Sequence, residues 1–240
     1  MPNFVLIGLN HRSASLDFRQ LAAFSGNKLS EGLKRLSSRP GILEALILST
    51  CNRVEILCCV EQVRPGIACM EEFFSDSSGI PLPQIQAKAY CYVGDQAVRH
   101  LFRVAGSLDS MIVGEPQILG QVKSGYAEAI AAGTVGTYLN TLLQAALRTA
   151  KRIRSETSIG EYSLSVGSAA IDLVQKVFGD LRTKSILLVG TGKMGEAAIR
   201  HLSELGAKNI YLTNRNEASA KDLAARFAAV AVPFKDLEEW

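Results

Sequence analysis

Gly190-Thr191-Gly192-Lys193-Met194-Gly195 constrains the fold of this chain more than any other segment. It fits G-x-G-x-x-G, and its surroundings make that fit informative. Lys184-Ser185-Ile186-Leu187-Leu188-Val189 precedes it, an apolar run typical of a strand in a parallel sheet. A predicted helix to about Leu205 follows, then a second strand, Asn209-Ile210-Tyr211-Leu212-Thr213. This is a βαβ unit built around a glycine turn. Gly190 permits the tight turn, Gly192 lets a pyrophosphate approach the backbone, and Gly195 lets helix and strand pack closely. Free N–H groups and a partial positive charge at the helix start suit phosphates. The end of the second strand sorts the cofactors. Thr213-Asn214-Arg215 offers no carboxylate for a ribose 2′-hydroxyl, and Arg215 can fork a 2′-phosphate. The reading is NADP(H) over NAD(H); the alternative for Arg215 is a solvated charge.

The rest of this domain is short. A predicted helix at 164–178 leads in, and a third helix and a strand at 228–234 close it. A full doubly wound domain needs more strands, so the domain is expected to be incomplete, with a sheet edge exposed or paired with another chain. The overall expectation is an α/β chain. An N-terminal α+β domain at 1–158 precedes a truncated Rossmann-type parallel domain at 159–240, with the linker near 156–163.

In the first part, 4–9 reads as a strand, and Ser13 or Ser15 can cap a helix to Phe24. Residues 28–38 have helical spacing. Leu43–Leu48 and Val54–Val60 read as two strands around the polar corner Ser49-Thr50-Cys51-Asn52-Arg53. Residues 75–84 read as a loop. Asp95 caps a helix with Val98, Leu101, Phe102 and Ala105 on one face. Pro116 starts a helix to about Ala132, and 137–156 is a helix striped by Leu139, Leu142, Leu143, Ala146, Ala150 and Ile153.

Composition narrows the function classes. Lys plus Arg is 26 against 23 acids, a net charge of +3, which excludes a strongly basic nucleic-acid coat but leaves room for a local patch. No apolar run of about 18 residues exists to span a membrane. The N-terminus lacks the features of a signal peptide. Five cysteines without C-x-x-C, and three scattered histidines, fit a reducing, cytoplasmic setting with no metal site.

Cys51 stands in the polar corner next to Arg53, whose guanidinium would favour the nucleophilic thiolate. The alternative is a small buried hydrophobe with Arg53 in solvent. His100 falls about 140° from the centre of its helix's apolar stripe, so it is expected to face a cleft or, by preference, solvent. Glu115-Pro116-Gln117 opens a helix with Gln117 and Gln121 on one face, suited to a polar ligand or simply an ordinary helix start. Arg148, Lys151, Arg152 and Arg154 could contact nucleic-acid phosphates. More often such a cluster is a solvated last turn matched to the helix dipole.

Together these segments resemble the glutamyl-tRNA reductases. The match lies in Gly8-Leu9-Asn10-His11-Arg12-Ser13-Ala14, Ser49-Thr50-Cys51-Asn52-Arg53-Val54-Glu55, Val113-Gly114-Glu115-Pro116-Gln117-Ile118-Leu119-Gly120-Gln121-Val122-Lys123 and the glycine turn. The resemblance implies NADPH-dependent reduction of glutamyl-tRNA to glutamate 1-semialdehyde, the first step of tetrapyrrole synthesis, through a cysteine thioester. It implies Cys51 as nucleophile and His100 as the activity-critical histidine. Thr50, Asn52, Arg53, Ser110, Glu115, Pro116, Gln117 and Gln121 would line the glutamyl pocket. Gly190, Thr191, Gly192, Lys193, Met194, Gly195, Asn214 and Arg215 would hold the cofactor. It also implies a homodimer through a C-terminal region, and channelling to glutamate-1-semialdehyde aminomutase. Two rivals differ in class: an NADP-dependent dehydrogenase of a small hydroxy or keto acid with a structural Cys51, and a non-catalytic NADP- or tRNA-binding regulator.

Overall fold

A computed structural model describes residues 3–160 and 166–239. The part of the expected linker beyond residue 160, and the start of the helix expected from 164, lie outside the described residues. The chain divides into two compact units, Met1–Ser163 and Leu164–Trp240.

The first unit is built on an antiparallel sheet of β1 (Asn3–Asn10), β2 (Ile42–Ser49), β3 (Arg53–Val60) and β4 (Tyr90–Val93), in the order β2-β3-β1-β4. An antiparallel sheet often leaves one face wet. Here β3 is buried along its whole length, because helices cover both faces. α1 (Leu16–Ala22), α2 (Asn27–Ser37), α3 (Val63–Ser78) and α4 (Leu82–Lys88) precede β4. α5 (Asp95–Ala105), α6 (Pro116–Ala131) and α7 (Thr137–Glu156) follow it. Side chains alternate across a strand. Val60 of β3 meets Gly66 of α3, where an added Cβ would stand 2.8 Å from Val60. Glu55, on the opposite face, meets His100 of α5. The apolar runs at 4–9, 43–48 and 54–60 are therefore continuous because they are enclosed on both sides.

Ser15 caps α1, accepting from Phe18 N at 3.4 Å. Asp95 is the first residue of α5; Gly94 holds the cap position. The expected loop at 75–84 is mostly helix. α3 continues to Ser78, anchored by the buried Phe73 and Phe74, and Gly79 ends it in the left-handed region at φ 70°. Ser78 Oγ donates to Phe74 O at 2.7 Å, so the serines serve the helix end instead of breaking it. α7 buries Leu139, Leu142, Leu143, Ala146 and Ala150; Ile153 is half-buried.

In the second unit, α8 (Val166–Phe178) precedes β5 (Ser185–Val189), α9 (Lys193–Glu204), β6 (Asn209–Thr213), α10 (Glu217–Arg226) and β7 (Val230–Ala231). β5-β6-β7 is a parallel sheet with Ile186 opposite Ile210. β7 is shorter than the predicted strand at 228–234. Ala228 takes φ 51° before it, and Pro233, which has no N–H to donate, follows it.

Candidate active site

The β2–β3 corner is closed by its own threonine. Thr50 N donates to Arg53 O at 2.8 Å, while Thr50 Oγ1 accepts from Asn52 N (3.2 Å) and Arg53 N (3.1 Å). Asn52 O accepts from His11 N at 3.0 Å, which ties the β1 end to the corner. Asn10 stabilises that end by an Asx turn, its Oδ1 accepting from Arg12 N at 2.9 Å and Ser13 N at 3.2 Å. The buried Arg19 supports the corner from below, donating to Cys51 O at 3.4 Å. The Cys51 side chain itself is exposed. Burial pushes the thiols of Cys58 and Cys59 up, the latter to about 11, so they stay protonated near neutral pH.

Arg53 does not lie open beside Cys51 as the sequence suggested. It is 1% exposed. Nη1 meets Glu55 Oε1 at 2.7 Å and Asp109 Oδ2 at 3.3 Å, and Nη2 donates to Asp109 O. Arg12 reaches the other Asp109 oxygen at 3.7 Å. The guanidinium is drawn inward because two carboxylates wait there, so its charge is matched within the fold.

His100 is likewise not in solvent. It is 7% exposed, with Nε2 2.8 Å from Glu55 Oε1 and its ring against those of Tyr90 and Tyr92, at 5.4 and 4.8 Å. The helical-wheel expectation failed because the buried face of α5 is Ala97, His100, Leu101, Val104 and Ala105. Val98 and Phe102, which defined the predicted stripe, are only half-buried. Tyr90 OH also donates to Glu55 Oε1, at 2.5 Å. Burial alone would raise the Glu55 carboxyl, but the His100 hydrogen bond and the Arg53 charge hold it below its ordinary range. Burial and Glu55 push the Tyr90 phenol up. Glu55, Asp109 and Tyr90 were missed by the sequence reading. A lone carboxylate inside the apolar run of β3 was the available signal.

The 107–115 loop brings Asp109 to Arg53. Ser107 Oγ donates to Glu115 O at 2.8 Å, and Gly114 N to Ser107 O at 2.9 Å. Ser110 is buried and its Oγ has no partner among the described residues. Glu115 is buried at the start of α6, and burial raises its carboxyl while Arg53 opposes the rise. Pro116 is the first residue of that helix; Gln117 and Gln121 are half-buried. His11 Nδ1 is also buried with no partner among the described residues, and burial followed by Arg12 and Arg53 depresses its pKa. The structure thus joins His11, Asn52, Thr50, Arg53, Glu55 and Asp109 through one bonded network, while Cys51 enters only by its carbonyl, which accepts from Arg19. It gives His100 a contact with Glu55 and none with the thiol.

In the second unit, Gly190 adopts φ 103°, a left-handed conformation that favours glycine. A Cβ on Gly195 would stand 2.2 Å from Gly190 O. Gly192 caps α9 and faces open space, as a phosphate cradle requires. Gly190 N donates to Thr213 O at 2.8 Å, and Asn214 Nδ2 to Thr191 Oγ1 at 2.8 Å, which fixes the strand end against the turn. Lys193, Met194 and Arg215 are exposed. These residues fit a dinucleotide. Among the described residues no cluster of His, Cys, Asp and Glu is placed to hold a metal ion, and no helix is long and apolar enough to cross a membrane.

Comparison with known proteins agrees with both units. The family model described as glutamyl-tRNAGlu reductase, N-terminal domain, matches residues 7–157, and that described as shikimate / quinate 5-dehydrogenase matches residues 172–240. The glutamyl-tRNA reductase of Desulfatibacillum aliphaticivorans is 44% identical over 237 residues, covering 99% of this chain and 55% of that protein. That of Thermodesulfovibrio yellowstonii is 47% identical over 244 residues, covering 99% and 57%. The solved glutamyl-tRNA reductase from Methanopyrus kandleri matches with a TM-score of 0.64 at 33% identity, over 99% of this chain and 55% of its own. The chain spans about half the length of these relatives. With a family model matching most of the chain and its four motifs in order, the chain belongs to the glutamyl-tRNA reductase family.

Proposed function

We propose that this chain carries the acyl-transfer site and part of the nucleotide site of an enzyme that reduces glutamyl-tRNA to glutamate 1-semialdehyde, the first step of tetrapyrrole synthesis. The observation that carries the reading is the exposed Cys51 on a corner locked by Thr50, beside a buried polar network. The Cys51 thiolate attacks the ester carbonyl carbon that joins glutamate to the terminal ribose. The C–S bond forms, the ribose oxygen leaves and takes a proton, and the glutamyl group stays as a thioester. Asn52, Ser110, Glu115, Pro116, Gln117 and Gln121 line the glutamyl pocket, and Arg53 takes a substrate carboxylate in exchange for Asp109. His100 acts through Glu55 as a positioning residue: it holds the carboxylate that holds Arg53. Gly190–Gly195, Asn214 and Arg215 hold NADPH, which supplies the hydride that reduces the thioester to the aldehyde. The enzyme works in the cytoplasm and pairs into a homodimer through sequence this chain does not span. It passes its reactive aldehyde to an aminomutase.

Mass spectrometry after incubation with glutamyl-tRNA tests this. The expected result is a glutamyl adduct on Cys51, absent in Cys51→Ser. No adduct on the parent chain, or reductase turnover by Cys51→Ser in a full-length enzyme, overturns the reading.

A further inference from the structure

α7 is amphipathic, and the exposed face opposite its buried stripe gathers three cations, Arg148, Lys151 and Arg152, towards its C-terminal half. Gln144, Arg148, Arg152 and Ser155 follow one another at spacings of four, four and three, with Lys151 beside Arg152, and all are exposed. The helix carries a single acid, Glu156, which pairs with Arg152 at 2.9 Å. Among the described residues no carboxylate lies within ion-pair distance of Arg148 or Lys151. α5, packed against α7, adds exposed Arg99 and Arg103. A macrodipole needs one or two cations in the last turn. It does not explain Arg148, Lys151 and Arg152, which precede the last turn of α7.

The ridge is tied to the thiol site by packing. A Cβ on Gly106 would stand 2.9 Å from Ile153 Cδ1, and one on Gly114 2.6 Å from Ile159 O. The loop between these glycines holds Asp109, the partner of Arg53, two residues from Cys51. Ile153 of α7 and Ile159 just beyond it therefore pack against the two ends of that loop, while Arg148, Lys151 and Arg152 stay exposed. The net charge of the chain is only +3, so this concentration is local.

We propose that the Arg148–Lys151–Arg152 ridge of α7 docks the phosphate backbone of the tRNA whose aminoacyl end reaches Cys51. This rests on the proposed function for its ligand and adds the surface that binds it. Phosphate contacts position a nucleic acid without reading its sequence, and their signature is salt dependence.

The test is binding of glutamyl-tRNA by the whole chain across a salt series, comparing parent with Arg148→Glu/Lys151→Glu. Affinity near 0.1 M salt is expected to fall about tenfold or more. The log–log salt slope should become shallower by about 1.5, from about 0.7–0.9 per lost phosphate contact. Alkylation of Cys51 by iodoacetamide and cleavage of a small glutamate α-ester should keep the parent's rates. Lys34→Glu/Arg64→Glu, exposed on α2 and α3, should bind like the parent. Parent-like affinity and slope in the α7 variant overturn the proposal, as does an equal loss in the α2/α3 variant. If the parent fails to cleave the small ester while the α7 variant loses tRNA, the catalytic reading falls and the docking surface stands.

Discussion

Glu55 Oε1 lies 2.8 Å from His100 Nε2 and 2.7 Å from Arg53 Nη1, so one carboxylate oxygen joins the histidine to the arginine of the Cys51 corner. Because Tyr90 donates to the same oxygen, Glu55 is the hub through which α5, β4 and β3 are held in register.

Removing that charge leaves Arg53 buried beside Asp109 alone. Glu55→Gln is expected to cost about 3–5 kcal/mol, the usual range for breaking a buried pair. The folded pKa of Glu55 lies below its ordinary 4.5. Its contribution is therefore full above that value and is lost as pH falls through the folded pKa. Thermal unfolding from pH 7 to 3 should show a decline in the parent below about pH 4.5 that is weaker in Glu55→Gln. Parallel curves would remove Glu55 as the titrating hub.

The cysteines should separate by burial. Cys51→Ser exchanges an exposed thiol and should change stability by less than about 0.5 kcal/mol. Cys58→Ser places a hydroxyl in a fully buried site and should cost about 1–3 kcal/mol. Urea unfolding of both variants checks the contrast; equal losses would contradict the placement of Cys51 outside the core.

Glu44 is a helix cap delivered from a strand. Its carboxylate accepts from Tyr138 N at 3.0 Å and Leu139 N at 2.6 Å, closing the start of α7. Glu44→Ala should cost about 1–3 kcal/mol through unpaired buried N–H groups. Gly136→Ala should also destabilise, since its Cβ would stand 2.4 Å from Glu44 Oε1. Differential scanning calorimetry reads both; a Gly136→Ala variant as stable as the parent would mean that Glu44 relaxes freely.

In the nucleotide turn, Gly192→Ala and Gly195→Ala should differ. Gly192 has open space, so its variant should fold normally and lose NADPH affinity, because the methyl group occupies the phosphate approach. Gly195→Ala drives a Cβ onto Gly190 O and should destabilise the second unit itself. Nucleotide fluorescence titration beside thermal unfolding separates the two; unchanged NADPH binding by Gly192→Ala would exclude a phosphate there.

His201 supplies a second pH signature with the opposite sign. Its Nε2 lies 3.0 Å from Asp172 of α8, and that hydrogen bond raises its pKa above 6.5. The gain is full below 6.5 and disappears as pH rises through the folded value. His201→Gln should flatten the stability profile of the second unit between about pH 6 and 8, read by hydrogen exchange in α8 and α9. Exchange that is insensitive to pH in the parent would rule the pair out.

What could be read in advance was local. The β5–turn–α9 unit is contiguous, and each glycine has a backbone reason, so spacing sufficed. The corner at Thr50–Arg53 was legible because polar residues interrupt two apolar runs. Arg53 and His100 were misplaced because their partners are remote: Asp109 is 56 residues from Arg53, and Glu55 is 45 from His100. A helical wheel assigns faces from one helix, whereas Tyr90 and Tyr92, on a strand too short to predict, extended the buried side of α5. Residues 75–84 were read as a loop from their Ser, Asp, Gly and Pro; here the Ser78 hydroxyl bonds a carbonyl of the helix it terminates.

The Thr50–Asn52 corner projects from strands enclosed on both faces, and this has an evolutionary consequence. Along β2 and β3 nearly every exchange disturbs packing, so drift there is tightly limited. At the tip, where Cys51 already stands clear of the interior, new side chains can be sampled with little harm to folding. The hairpin thus separates robustness from innovation, and its tip is a natural place to transplant a different reactive group.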